Sequence, residues 1–120
     1  MPNKLNNVSA SEAIERLKQG NKRFVAGAAP AIVANEHPNF GALHATQAPF
    51  VIVLGCSDSR VPVEFVFDQT FGDMFVIRIA GNVVAPSQIA SIEFAATQFD
   101  THLVVVLGHT QCGAVGATID

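Results

Sequence analysis

Two cysteines and a histidine are the residues of this chain whose types and spacing best support chemistry. Cys56 follows the apolar run Phe50–Leu54 and one glycine, while His109 and Cys112 follow the run Leu103–Leu107 and another glycine. His-x-x-Cys at the start of a helical turn can aim both side chains at one point, and a cysteine from a neighbouring strand end completes a Cys2His set. Three protein ligands with one open position is the pattern of a catalytic zinc ion. A structural zinc site would carry a fourth Cys or His, and His37, His44 and His102 are not placed to supply one. Taken singly, each residue has a plainer reading: a buried cysteine is most often a small hydrophobe, and a histidine at a strand end is commonly structural. A redox pair is the main rival for the cysteines, but Cys-x-x-Cys is absent.

A second layer lies in Cys56-Ser-Asp-Ser-Arg60. Arg60 and Arg78 are the only cations in residues 24–120. A guanidinium in so sparse a setting seeks a carboxylate in bidentate contact, and Asp58 is close enough to supply it. The pair reads either as a plain structural ion pair or as an oriented carboxylate beside the metal, able to accept a proton from metal-bound water. With Arg60 swung away, Asp58 could itself close the fourth position. The Cys-x3-Arg spacing is not the Cys-x5-Arg loop of cysteine phosphatases.

The elements that must position these groups follow from hydrophobic pattern. The runs Phe50–Leu54, Met74–Ile79 and Leu103–Leu107 are short and apolar, and the first and third lack alternation and are rich in β-branched residues. They read as parallel strands buried on both faces. A helix starting near Pro86 fits between the second and third, with Ile89, Ile92, Glu93, Ala96 and Phe99 along it; Val61–Phe71 is ambiguous between helix and extended turn. In open parallel sheets ligands bind past the carboxyl ends of the strands, where Cys56 and His109 fall. Ser9-Ala-Ser-Glu12 is a capping box, and Ala13, Ile14, Leu17 and Phe24 then mark one face of a helix over about 10–26, stopped near Gly27. Residues 28–49 read as loop, with a short helix around Gly41–Gln47.

Composition narrows the classes further. The chain has 120 residues, 49% hydrophobic and 14% charged, against roughly 25% charged in an average domain. Disorder and coiled coil are excluded, and so much apolar surface on so short a chain points to cover by another copy. Residues 1–23 hold five basic and two acidic residues, and residues 24–120 two basic and eight acidic. The body therefore offers no basic footprint for nucleic acid, and the first helix reads as an ordinary surface helix or as a basic arm laid on the acidic body of a partner. Apolar runs are too short to span a bilayer, and no secretory signal is visible. A cytoplasmic protein is expected, with free thiols rather than a disulfide.

Here the sequence resembles the β-class carbonic anhydrases. The resemblance rests on Cys56-Ser-Asp-Ser-Arg60, Asp73-Met-Phe-Val-Ile-Arg-Ile-Ala-Gly-Asn82, Gly108-His-Thr-Gln-Cys-Gly113, and Gln47 nine residues before Cys56. It implies an α/β fold, a mainly parallel sheet flanked by helices. It also implies one Zn2+ per subunit on Cys56, His109 and Cys112, with Asp58 and Arg60 as orienting dyad. Gln47 matches an active-site glutamine, able to donate to bicarbonate from the same or the partner subunit; Phe75 matches an apolar pocket wall and Gly113 a pocket-lining backbone position. The implied reaction is reversible hydration of CO2 to bicarbonate and a proton by zinc-bound hydroxide, in a homodimer or dimer-based oligomer. The expected division is an N-terminal helical arm over 1–27 and a zinc-binding core over 28–120, a short or C-terminally truncated form of the family domain. Some relatives build a second bicarbonate pocket on a tryptophan three residues before the first zinc cysteine; Val53 stands there, so Asp58 is expected to rest on Arg60. Two thiolate ligands should place half-maximal activity somewhat above neutrality. The readings to be separated from this one are hydrolysis of CS2 or COS on the same scaffold and an inactive zinc-binding module.

Overall fold

The computed structural model describes residues 8–28, 30–31 and 45–120. At its centre is β1, Val51–Gly55, every residue of which is buried. Val51, Ile52, Val53 and Leu54 have no polar face to turn outward, so the strand is stable only with a strand on each side and cover above and below. β2, Met74–Arg78, and β3, Val104–Val106, flank it in a parallel sheet of order β2-β1-β3. The register pairs Ile52 with both Phe75 and Val104, and Gly55 with Arg78. Thr101 Oγ1 donates to the Pro49 carbonyl at 2.9 Å and closes the amino-terminal end of the sheet.

The first helix, α1, runs over Ala10–Val25. Ser9 caps it as expected, its Oγ accepting from the Glu12 amide at 3.1 Å. The expected stop also holds, with Gly27 at φ 72° just past the end. Its buried stripe is Ala13, Leu17 and Gly20, which differs from the expected face: Ile14 and Phe24 stay exposed. Ala13 and Leu17 join Phe50, Val51, Val53 and Val63 in one core cluster. These contacts seat one face of the helix on the chain's own sheet. Gly20 is there for closeness, since a Cβ on it would stand 1.7 Å from the Phe67 carbonyl oxygen.

Val61–Phe71, the ambiguous stretch, holds one helical turn, α2, Val63–Val66. The chain then turns through Asp68 at φ 47°. Asp68 is buried and accepts from Arg23 Nε and the Ala31 amide, tying the end of α1 to this turn. The helix expected after β2 is α3, Pro86–Phe99, with Pro86 in its first turn. Its inward stripe is centred on Ala95 rather than on Glu93 and Ala96, which are exposed. The expectation for β3 needs correction: Val104 and Val106 are 45% and 61% exposed, because β3 is the edge of the sheet and one of its faces has no cover among the described residues. A last helix, α4, covers Gly113–Ile119. Residues 41–44 of the short helix expected around Gly41–Gln47 lie outside the described residues, as do His37 and His44; of the rest Ala45 is helical and Thr46 and Gln47 are not. None of the described helices is long and apolar enough to cross a membrane.

Candidate metal centre

Parallel pairing sends β1 and β3 in the same direction, so the loops that follow them meet at one end of the sheet. The first carries Cys56 and Asp58; the second carries His109 and Cys112. The ligand atoms of Cys56, His109 and Cys112 all lie within 4.8 Å of one another. The two sulfurs are 3.9 Å apart and both thiols are free. Two sulfurs bound at about 2.3 Å to one tetrahedral zinc stand about 3.8 Å apart, so the spacing of the two sulfurs matches that ion. The histidine fits as well. Its Nδ1 donates to the Thr110 carbonyl at 2.8 Å, which leaves Nε2 as the lone-pair nitrogen. That Nε2 is buried with no hydrogen-bond partner, an arrangement costly in a plain core and natural for a metal ligand whose other nitrogen is fixed by a carbonyl.

The electrostatics favour the thiolate form of Cys56. The adjacent His109 ring, followed by the Asp58 amide, holds the Cys56 thiol down at about 6 against the opposing effect of burial. The Gly81 amide also donates to Cys56 Sγ at 3.2 Å. His109 is in turn raised, chiefly by Cys56. Asp58 and Arg60 form the fork expected from the sequence: Nε donates to Oδ1 at 2.9 Å and Nη2 to Oδ2 at 2.7 Å. This guanidinium holds the Asp58 carboxyl well below the usual carboxylate range, and Asp58 Oδ2 lies 3.9 Å from His109 Nε2. An ionised acceptor therefore sits beside the cage. Arg60 Nη2 also donates to the Gln111 carbonyl at 2.8 Å, joining the two ligand loops. Cys56, Ser57, Asp58, Ala80, Cys112, Gly113 and Ala114 line an open cleft of about 280 Å3.

Comparison with known proteins turns this geometry into a family. A family model described as carbonic anhydrase matches residues 51–120. Carbonic anhydrase 2 of Mycobacterium tuberculosis is 47% identical over 124 aligned residues, covering 99% of this chain and 55% of that protein. The crystal structures of tetrameric β-carbonic anhydrases from Sordaria macrospora superimpose with a TM-score of 0.66 at 29% identity, over 89% of this chain and 54% of that one. The chain belongs to the β-carbonic anhydrase family. It spans about half the length of the curated relatives it matches. A carbon disulfide hydrolase in its apo form is a more distant neighbour, with a TM-score of 0.52 at 25% identity, covering 86% of this chain and 43% of that one.

In this β-carbonic anhydrase chain the structure brings together Cys56, Asp58, Arg60, His109, Cys112 and Gly113, and leaves two expected residues elsewhere. Phe75 pairs with Ile52, three register positions from the Gly55–Arg78 pair, or about 10 Å along the strand. Its ring packs with Phe94 and Phe99 at centroid distances of 6.0 Å. Gln47 precedes Pro49 at the amino-terminal end of the sheet, opposite the metal loops. A residue that sequence reasoning left without a role also reaches the loop: Arg78 donates to the Cys56 and Asp58 carbonyls at 2.8 and 2.7 Å. Its rarity as a cation was the available signal.

Proposed function

We propose that this chain holds one zinc ion per subunit on Cys56, His109 and Cys112 and catalyses the reversible hydration of CO2 to bicarbonate and a proton. The observation that carries the reading is the buried, partnerless His109 Nε2 facing two thiol sulfurs beside an ionised carboxylate. The names of its relatives point to the same reaction. A zinc ion there would supply a Lewis-acidic position at which water ionises near neutral pH. The protein residues do the rest. Asp58, kept ionised by Arg60, can only accept hydrogen bonds, so it orients an O–H donor in the pocket and keeps the reacting lone pair turned away from itself. Ala80, Gly113 and Ala114 give a small apolar wall suited to a neutral linear molecule.

Gln47 and Phe75 enter this scheme through a second copy. Gln47 precedes β1 and Phe75 lies near the start of β2, both too far from the strand ends to serve their own cage, so we assign them to the pocket of a partner subunit, in a homodimer or dimer-based oligomer. The relatives from Sordaria are tetrameric, and exposed Ile14, Val83, Val84 and Val106 leave apolar surface for such contacts. Free thiols at the centre suit a reducing compartment, and we place the protein in the cytoplasm on that ground. Stopped-flow CO2 hydration with metal analysis tests the reading. Zinc at one equivalent with CO2 turnover supports it; turnover of CS2 or COS but not CO2 assigns the hydrolase activity instead, and bound zinc without either turnover leaves an inactive module.

A further inference from the structure

We propose that Arg78 is a positioning residue for the metal loop, clamping the backbone that carries Cys56 and Asp58; the inference rests on the metal-centre reading above. The β1–β2 ladder ends at the Gly55–Arg78 pair. Beyond it the Ser57 amide still donates to the Ile79 carbonyl, and the Asp58 carbonyl accepts from the Val61 amide at 3.2 Å, but among the described residues no backbone donor reaches the Cys56 carbonyl. Arg78 supplies that donor and adds a second one to Asp58 from the same guanidinium, Nε to Cys56 at 2.8 Å and Nη2 to Asp58 at 2.7 Å. The two carbonyls flank Ser57, so fixing them sets both the direction in which Cys56 presents its sulfur and the direction in which Asp58 presents its carboxylate. Among the described residues Arg78 pairs with no carboxylate, so its charge strengthens the two hydrogen bonds rather than forming an ion pair.

Arg60 works in parallel, fixing Asp58 by its side chain and the second ligand loop by the Gln111 carbonyl. Gln111 sits at φ 59°, a conformation that needs an external hold. Both cations of residues 24–120 are thus spent on the geometry of the ligand loops. A lysine at position 78 would keep the charge but lose the planar fork that spans two carbonyls.

The test compares the whole chain with Arg78→Lys and Arg78→Met. Each is loaded with zinc, and release of the ion into a chromophoric chelator is timed at fixed pH. Amide hydrogen exchange of residues 56–60 is followed in the metal-free proteins. Both variants should release zinc about 10–100-fold faster than the parent, and exchange over 56–60 should accelerate while exchange in β1 does not. Parental release and exchange in Arg78→Met would overturn the inference, as would full restoration by Arg78→Lys, which would mean that charge alone acts. A parent that binds no zinc would contradict the metal-centre reading instead, and exchange over 56–60 would still decide the role of Arg78.

Discussion

The two ends of the sheet are built on different physics. At the amino-terminal half, Ala13 and Leu17 of α1 close over Phe50, Val51, Val53 and Val63, with Gly20 admitting the Phe67 carbonyl and Arg16 lying over the Phe50 ring at 5.2 Å. Stability there comes from apolar area and close fit. At the carboxyl end Cys56 is buried as well, but directional hydrogen bonds hold the loops. Cys56, Asp58 and Gln111 are fixed through their backbone carbonyls by Arg60 and Arg78, and the cage atoms face a pocket. Packing tolerates small shifts, whereas a metal cage does not, and directional charge-assisted hydrogen bonds give the tighter positional control. Substitutions at one end should therefore change the melting temperature, and at the other the metal and the reaction.

The largest effect is expected from Cys112→Ser. It removes one of three protein ligands, and the variant should lose most of its zinc and its CO2 turnover. Full zinc occupancy by elemental analysis would end the assignment of that cysteine. Asp58→Asn should keep zinc but lose about 10²–10⁴-fold in kcat/KM, the range for a positioned proton acceptor. An unchanged rate would make the Asp58–Arg60 fork structural only.

At the other end, Leu17→Ala should cost about 2–5 kcal/mol of stability, read from denaturant titration, with zinc content unchanged in the folded protein. Gly20→Ala should cost about 1–3 kcal/mol by forcing α1 away from the Phe67 carbonyl. Loss of zinc from either folded variant would break the separation between the two ends.

The smallest effect belongs to Asp68→Asn, at about 1–2 kcal/mol near pH 7, and it carries a pH signature. Arg23, and then the Ala31 amide, hold the Asp68 carboxyl below its ordinary range. A depressed carboxyl stabilises the fold above its unfolded pKa of about 3.9. That contribution fades as pH falls through the lower folded value. The gap between parent and Asp68→Asn should therefore be steady from pH 5 to 7 and narrow below pH 4. A gap that widens on acidification would contradict the pairing.

Much of this was legible from the chain alone, for identifiable reasons. β1 and α3 announce themselves because an unbroken β-branched run and a Pro-started helix have few alternatives. The cage could be read because parallel strands of similar length end on one side, so Cys56 and His109 had to be neighbours. What could not be read depends on direction in space. β3 has the composition of a buried strand, but its place at the sheet edge is set by partners and not by its residues. Gln47 precedes β1 and Phe75 sits near the start of β2, both away from the metal loops, a fact visible only once register is known. Gly20 and Asp68 act through contacts 37 or more residues away in sequence, and Arg78 through backbone carbonyls, which leave no mark in side-chain pattern.

The most direct test of the central claim is X-ray absorption at the zinc edge of the zinc-loaded chain. Coordination by Cys56, Cys112 and His109 predicts two sulfur scatterers at about 2.3 Å and one imidazole nitrogen at about 2.0–2.1 Å, with a single further light atom. A spectrum with no sulfur shell, or with three or four sulfurs supplied by more than one chain, would contradict it.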